Sequence, residues 1–182
     1  MAVRTLIIDG LWGRPRRWRG LQRLIEQRCG PAAIYEYDAS GCVPFEVLGE
    51  QLAQEIRRHD GPVNLVGFSM GGVVARAAHL VDPTLPVRRA ALLNSPHQGS
   101  WLAYLLPLAG IRQMRPSSAF MARLREHTWS VPTLVVWNAI DQMVIPGSST
   151  RWNGACAEAK CSVPLHLWPI WSTAIHERVA DF

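Results

Sequence analysis

The sequence has 182 residues, of which 48% are hydrophobic, which suits one domain with a buried core and is too short for two comfortable ones. The formal net charge of +5 comes almost wholly from arginine, because Lys160 is the only lysine. So modest a basic excess biases association without specifying a partner, and we expect no nucleic-acid binding. No apolar run approaches the roughly 20 residues that a membrane-spanning helix needs, so no transmembrane segment is expected.

The N-terminus and the cysteines indicate the cellular compartment. Met1 to Asp9 lead directly into an apolar stretch without the charged segment, long apolar run and cleavage site of a secretory signal, so we expect a cytoplasmic protein unless a leader precedes this sequence. Cys29, Cys42, Cys156 and Cys161 show neither C-x-x-C pairs nor metal-ligand spacing, so we expect no metal. The last two are close enough for a local disulfide, although a cytosolic protein would normally keep both as thiols.

Short runs rich in β-branched residues alternate with longer amphipathic segments, which is typical of βα units on a parallel sheet. Six strands are predicted, at Val3–Ile8, Ala32–Tyr37, Val63–Gly67, Val87–Leu93, Thr133–Trp137 and Val163–Trp168. Helices are predicted through Trp18, Leu21, Leu24 and Ile25, through Leu48, Leu52 and Ile56, from Met70 onward, and around Ala174–Ala180. The pattern predicts a single α/β domain over residues 1–182, with about six mostly parallel strands and helices on both faces.

One segment, Gly99 to Thr128, is too long for a plain connection between a strand and a helix. Its apolar stretches, Trp101–Ile111 and Met114–Leu124, predict a short helical insertion near the carboxyl ends of the strands, where α/β folds bind ligands. Two interpretations of the first stretch stay open. It lines a groove for a hydrophobic ligand, or it packs against the sheet as a buried helix.

A dense basic cluster near the N-terminus comprises Arg14, Arg16, Arg17 and Arg19. One interpretation is a solvated loop that leads into a helix. The other is a basic rim that attracts anionic substrates or makes weak contact with a lipid surface.

The pentapeptide Gly67 to Gly71 reads G-F-S-M-G and lies between a predicted strand and a predicted helix. This G-x-S-x-G pattern in this context is typical of a nucleophile elbow, in which a tight turn presents the serine above the sheet edge. The flanking glycines avoid the collisions that Cβ atoms would cause there. The alternative is a glycine-rich turn with an incidental serine. We predict that Ser69 is a nucleophile.

A serine needs a base to activate it and an acid to orient that base. Asp141 follows the predicted strand Thr133–Trp137 at the carboxyl edge of the sheet, and it is the predicted acid. His176 lies downstream of Ser69 and Asp141 and outside every predicted strand, so it is the predicted base. His166 also comes late in the chain, but its position inside the last predicted strand argues against it.

Acyl transfer also requires two backbone N–H groups that stabilise the oxyanion of the tetrahedral intermediate. One is expected from Met70, the residue after the nucleophile, and the other from the loop after the first strand. In that loop Leu11 is the predicted donor, because Gly10 permits the turn that aims its N–H. Trp12, beside it, is predicted to line an acyl-binding groove.

Further motifs accompany the elbow, at Gly67–Arg76, Asn94–Ser100, Arg115–Ser118 with Phe120, and Asp141–Pro146. With these motifs the sequence resembles the small lidless lipases and esterases of bacteria within the α/β-hydrolase superfamily, and the likeness extends to His176. The resemblance implies a minimal α/β-hydrolase fold that begins at the superfamily's third strand and lacks a large cap domain. It also implies that the protein hydrolyses carboxylic esters without a metal or organic cofactor. The sequence departs from the pattern at Asp9, where the resembling enzymes usually have histidine.

The predicted function is therefore hydrolysis of a small hydrophobic ester through a Ser-His-Asp triad and an acyl-enzyme. Two alternatives stay open. The same acyl-enzyme could pass its acyl group to another acceptor, as in an acyltransferase or a perhydrolase. The chain could also be a non-catalytic binding protein of the same fold that uses the basic cluster as its contact surface.

Overall fold

A computed structural model describes residues 3–182, so the first two residues of the expected 1–182 domain lie outside the described part. Six strands form one sheet in the order β2-β1-β3-β4-β5-β6, and every neighbouring pair is parallel. The strands are β1 Arg4–Ile8, β2 Ala32–Tyr35, β3 Val63–Phe68, β4 Val87–Leu93, β5 Thr133–Trp137 and β6 Ala157–Lys160. The predicted parallel α/β architecture is confirmed.

Seven α-helices lie within the described residues. They are α1 Arg19–Arg28, α2 Phe45–Arg57, α3 Met70–Val81, α4 Ala109–Gln113, α5 Ala119–Glu126, α6 Trp168–Trp171 and α7 Thr173–Asp181. Helices α2, α3 and α5 cover one face of the sheet, and α1 and α7 cover the other. No helix among residues 3–182 is long and apolar enough to cross a membrane.

The sheet is buried on both faces, and alternating residues of each strand enter two separate cores. In β3, Leu65 packs towards α2 and α3, whereas Val66 packs towards α1 and α7. In β5, Val135 packs into the core on the side of α2 and α3, and Leu134 packs into the core on the side of α1 and α7. Because both faces are covered, the central strands are continuous hydrophobic runs, which is why the sequence reveals them clearly.

The sixth strand differs from its prediction. The predicted segment is not a strand: residues 163–167 form a loop with a turn at 166–167, and Trp168 begins α6. The sixth strand is β6, which pairs with β5 from Leu134 opposite Ala157 to Trp137 opposite Lys160. Pro164 has no N–H to donate to a strand ladder, which disfavours a strand in the predicted segment. Cys156 and Cys161 flank β6 and are free thiols, because an extended strand holds its two ends about 16 Å apart, beyond the reach of a disulfide.

The insertion between β4 and β5 is helical, as predicted, but in three short pieces. A 3₁₀ turn spans Trp101–Tyr104 and precedes α4 and α5. Helix α5 is capped by Ser118, whose hydroxyl accepts a hydrogen bond from the N–H of Met121 at 3.1 Å. The insertion adds no large cap domain over the sheet.

Candidate active site

Ser69 lies alone in the turn between β3 and α3, with φ 52° and ψ −122°. A residue other than glycine rarely adopts this backbone conformation, and such strain concentrates at functional sites. A Cβ atom on Gly67 would lie 2.6 Å from the Cα of Gly72, and one on Gly71 would overlap the carbonyl oxygen of Ile8. Both glycines of the pentapeptide are therefore required sterically, and the turn has the geometry expected of a nucleophile elbow.

A chain of hydrogen bonds joins Ser69 to a buried carboxylate. The Oγ of Ser69 lies 2.8 Å from Nε2 of His166, and Nδ1 of His166 lies 2.7 Å from Oδ2 of Asp141. The other carboxylate oxygen accepts hydrogen bonds from the N–H groups of Met143 at 2.8 Å and Val144 at 2.9 Å. An ionised carboxylate only accepts, so Nδ1 carries a proton and Nε2 is left to accept the serine proton.

Two side chains that the sequence analysis missed hold the loop of His166 in place. Oε1 of Gln142 accepts a hydrogen bond from the backbone N–H of His166 at 3.0 Å, and Nε2 of Gln142 donates to the carbonyl of Pro164. Nδ2 of Asn94 donates to the carbonyl of His166 at 2.9 Å. Asn94 directly follows β4 at the carboxyl edge of the sheet, where its φ is 46°. Its place after a predicted strand was the sequence signal that could have identified it as a residue of the site.

The prediction that His176 pairs with Ser69 is wrong. His176 lies in α7, where its Nε2 donates to the carbonyl of Pro169 at 3.0 Å and its ring packs 6.4 Å from that of Trp18. Burial there lowers the pKa of His176. The error came from the incorrect strand at residues 163–168, because that strand would have held His166 inside the sheet. In the structure His166 lies in the loop after β6, at the carboxyl edge.

The turn that follows β1 approaches the nucleophile closely. The N–H of Gly13 donates to the carbonyl of Gly10 at 3.0 Å, and Trp12, the third residue of this turn, has φ 51°. A Cβ atom on Gly10 would lie 2.9 Å from the Cβ of Ser69. Glycine therefore allows the turn to lie directly against the serine.

The two predicted oxyanion donors are close to Ser69. Leu11 and Met70 both line the cavity into which the serine opens. Met70 is the first residue of α3, so its N–H is among those that a helix leaves without an intrahelical acceptor. Trp12 differs from its prediction, because its side chain is 61% exposed and does not line this cavity.

Asp9 is fixed by its own network below this turn. Its buried carboxylate accepts from Nε of Arg17 at 2.7 Å and from Nη2 at 2.8 Å, and from the N–H groups of Gly10 and Arg14 at 2.7 and 2.9 Å. The hydroxyl of Tyr37 donates to the Asp9 carbonyl at 2.6 Å, and burial, with this carboxylate nearby, raises the pKa of Tyr37. Arg17 therefore stabilises the turn, and only the rest of the basic cluster is free to act as a rim.

The cavity beside Ser69 has a volume of about 80 Å³ and a largely apolar lining. Its apolar walls include Leu102, Leu106, Ile111, Met114 and Val144. The first apolar stretch of the insertion thus contributes side chains to the cavity, as one of its two interpretations predicted.

A larger cavity of about 360 Å³ lies at the opposite, amino edge of the sheet, beside Thr5, Asn64 and Arg89. It is remote from the hydrogen-bonded serine, so its size does not make it the better candidate for chemistry. Within residues 3–182 no group of three or more histidine, cysteine or acidic side chains is arranged to hold a metal ion.

The parallel sheet, the elbow and the helices on both faces define an α/β-hydrolase fold. The profile of the Alpha/beta hydrolase family matches residues 10–181, so the chain belongs to that family. A search of curated proteins found no match.

Three similar solved structures show the same fold at low sequence identity. The mature lipase BlEst2 of Bacillus licheniformis is 15% identical with a TM-score of 0.78, and the alignment covers 98% of this chain and 92% of that one. Lipase B of Aspergillus fumigatus is 14% identical with a TM-score of 0.80, over 99% of this chain and 52% of that one. A monoacylglycerol lipase of Paleococcus ferrophilus is 14% identical with a TM-score of 0.72, over 98% and 92%.

Proposed function

We propose that the protein is a carboxylic ester hydrolase that acts through an acyl-enzyme on Ser69. The observation that carries the proposal is the hydrogen-bonded series Ser69–His166–Asp141, which opens beside an apolar cavity. Nucleophile, base and orienting carboxylate stand in the order and geometry that acyl transfer requires. The lipases among the similar folds support the same reaction class.

In the proposed reaction, Ser69 attacks the ester carbonyl while Nε2 of His166 removes its proton. The imidazolium that forms is stabilised by the Asp141 carboxylate, which stays ionised. His166 then donates the proton to the departing alcohol, leaving the acyl group on Ser69. Water, activated by the same histidine, releases the carboxylic acid and restores the serine.

We assign the oxyanion to the backbone N–H groups of Leu11 and Met70. Loss of one such donor typically costs about 3 to 4 kcal/mol of transition-state stabilisation, so the position of the turn after β1 matters for rate. The contacts that fix Asp9 hold this turn in place before substrate arrives. No step of the proposed mechanism requires a metal or an organic cofactor.

The cavity indicates the acyl group that fits. Its volume of about 80 Å³ is several times the roughly 10 to 15 Å³ that one water molecule needs on the same measure, so it accepts a short apolar chain. Longer chains would extend out across the side chains at its mouth. We therefore propose hydrophobic esters of short to medium acyl chains as substrates. The two cores on one shared sheet support the proposal that the chain acts as one domain.

The test is hydrolysis of p-nitrophenyl esters from acetate to palmitate by the wild type and by Ser69→Ala, with the exposed Ser148→Ala as matched control. We expect activity that peaks at short to medium chains, vanishes in Ser69→Ala and persists in the control. A wild type that is silent across the series would refute the hydrolase. Product analysis with alcohol and peroxide acceptors would then test the acyltransferase and perhydrolase alternatives, and a binding protein would show no turnover in either assay.

A further inference from the structure

Exposed hydrophobic side chains concentrate on the face of the molecule that carries Ser69. We define the apolar rim as Trp101, Tyr104, Leu105, Met143 and Ile145, which lie in the insertion and in the loop after β5. Leu105 is 74% exposed and Trp101 is 60% exposed, and the informative feature is that these side chains occur together. A contiguous exposed patch of this kind marks an interaction surface more often than a random feature of a soluble protein.

The rim is one continuous structure because hydrogen bonds join its two segments. The N–H of Trp101 donates to the carbonyl of Ile145 at 2.8 Å. The hydroxyl of Ser100 donates to the carbonyl of Met143 at 3.2 Å and accepts from the N–H of Ile145 at 3.1 Å. The rings of Trp101 and Tyr104 lie 5.6 Å apart.

The rim also adjoins the mouth of the catalytic cavity. Met143 belongs to the rim and lines the cavity. Two further exposed hydrophobic side chains flank the same opening: Leu165 precedes His166, and Trp12 follows Leu11. An acyl chain leaving the cavity would therefore meet apolar side chains.

Four arginine side chains without an ionic partner lie on the segments around this opening. Arg14 and Arg16 are exposed beside Trp12, Arg112 is exposed in α4, and Arg115 lies 4.9 Å from the ring of Tyr104. No ion pair holds any of these four arginines within residues 3–182.

Acidic residues are correspondingly scarce near the rim. The sequence contains no Asp or Glu between Asp82 and Glu126, a stretch that includes most of the rim, and the acidic residue within the second rim loop is the buried Asp141. Two carboxylates lie nearby: Asp38 precedes Ala39, whose carbonyl accepts from the N–H of Trp12, and Glu46 binds Gln113 and Arg123. In the described part of the chain, neither forms an ion pair with the four arginines of this face.

We propose that the apolar rim docks on an anionic lipid surface, with Trp101 and Leu105 entering the interface and Arg16 and Arg112 facing the headgroups. Apolar side chains combined with basic ones bind such surfaces through both burial and electrostatic attraction. Docking would bring the mouth of the cavity to a lipid phase that holds hydrophobic esters. The inference deepens the proposed function and rests on it. A second copy of the chain on the same rim would instead cover the mouth.

The test measures binding of Ser69→Ala protein to vesicles of phosphatidylcholine with and without phosphatidylglycerol, by sedimentation and by tryptophan fluorescence. This protein keeps the rim without turnover. We expect binding to the anionic vesicles that weakens with added salt, and much weaker binding to phosphatidylcholine alone.

Substitutions in this protein distinguish the rim from its surroundings. Leu105→Ser should weaken partitioning about tenfold, because a buried leucine side chain is lost from the interface. Arg16→Gln and Arg112→Gln should each weaken it about fivefold. Val81→Ser is the matched control for an exposed apolar residue, since Val81 ends α3 at the opposite edge, and it should bind as the parent does.

The proposal would be overturned if Leu105→Ser bound as well as the parent, or if the parent did not bind anionic vesicles. It would also be overturned if the protein formed a stable dimer in solution that Leu105→Ser dissociates. Hydrolysis of the soluble ester p-nitrophenyl acetate separates this inference from the proposed function. A wild type that hydrolyses the ester but ignores vesicles would refute docking alone. One that binds vesicles through the rim but hydrolyses nothing would refute the esterase alone.

Discussion

Replacing His166 by alanine removes the side chain that contacts Ser69 at 2.8 Å and Asp141 at 2.7 Å. The serine would lose its proton acceptor, and the carboxylate would lose the partner that it orients. Because the backbone contacts of the loop to Gln142 and Asn94 remain, the fold around the site should persist. The expected effect is therefore on rate and not on folding.

The magnitude follows from the role of the base. General-base catalysis alone contributes about 10²- to 10⁴-fold, and a histidine that works as a unit with its serine contributes more. We expect His166→Ala to lower kcat by at least about 10⁴-fold, which corresponds to roughly 5 kcal/mol of transition-state stabilisation. The melting temperature should change by only a few degrees.

His176→Ala is the matched comparison, because it removes the same side chain from a site that does not touch Ser69. It deletes a buried ring packed near Trp18 and its hydrogen bond to the carbonyl of Pro169. We expect a loss of about 2 kcal/mol in stability, which lowers the melting temperature by roughly 4 to 8 °C in a domain of this size. The kcat at 25 °C should stay within about twofold of wild type.

The assay is hydrolysis of p-nitrophenyl butyrate at 25 °C, with thermal unfolding measured on the same preparations. The reasoning would be refuted by an active His166→Ala, or by a folded His176→Ala whose kcat falls as far as that of His166→Ala.

Three further predictions concern contacts within the active site and outside it. Asp141→Asn should keep the fold but lower kcat by about 10⁴-fold, measured with the same ester, because an amide favours the wrong imidazole tautomer. Arg17→Gln should reduce stability by about 2 kcal/mol and also slow hydrolysis, whereas Arg16→Gln should leave both unchanged; equal melting temperatures would count against the role of the ion pair. Burial lowers the pKa values of His79 and His127, and the charges of His127 and Arg76, respectively, lower them further. The unfolded state therefore binds more protons, and the melting temperature should fall as the pH drops below about 6.5, with a shallower fall in His127→Gln.

The sequence predicts the elbow well because its determinants are local. A tight turn at Ser69 requires glycine on both sides, and β3 before it is buried on both faces and therefore reads as a hydrophobic run. The carboxyl ends of β4 and β5 are predicted equally well, because these strands are also continuous hydrophobic runs. These features placed Ser69 and Asp141 at one edge of the sheet.

The sixth strand and the histidine could not be read in the same way. Strand β6 reads Ala-Glu-Ala-Lys and lies at the edge of the sheet, with its two alanines half-buried and its other two residues exposed. Neither β-propensity nor hydrophobicity therefore reveals it in the sequence. Residues 163–168 carry the stronger apolar pattern but form a loop and the first residue of α6. The pairing of β6 with β5 is a tertiary contact, and together with the hydrogen bonds from Asn94 and Gln142 it places His166 at the edge of the sheet. Pro164 and Pro169 on either side of His166 were the local signal against a strand.

The most direct test of the account is to label the native protein with a fluorophosphonate, which reacts with activated serines, and to locate the adduct by peptide mass spectrometry. We predict one adduct, on Ser69, that is absent in Ser69→Ala and strongly slowed in His166→Ala but not in His176→Ala. Native protein that does not label, or that labels on another serine, would contradict the assignment of Ser69 as an activated nucleophile.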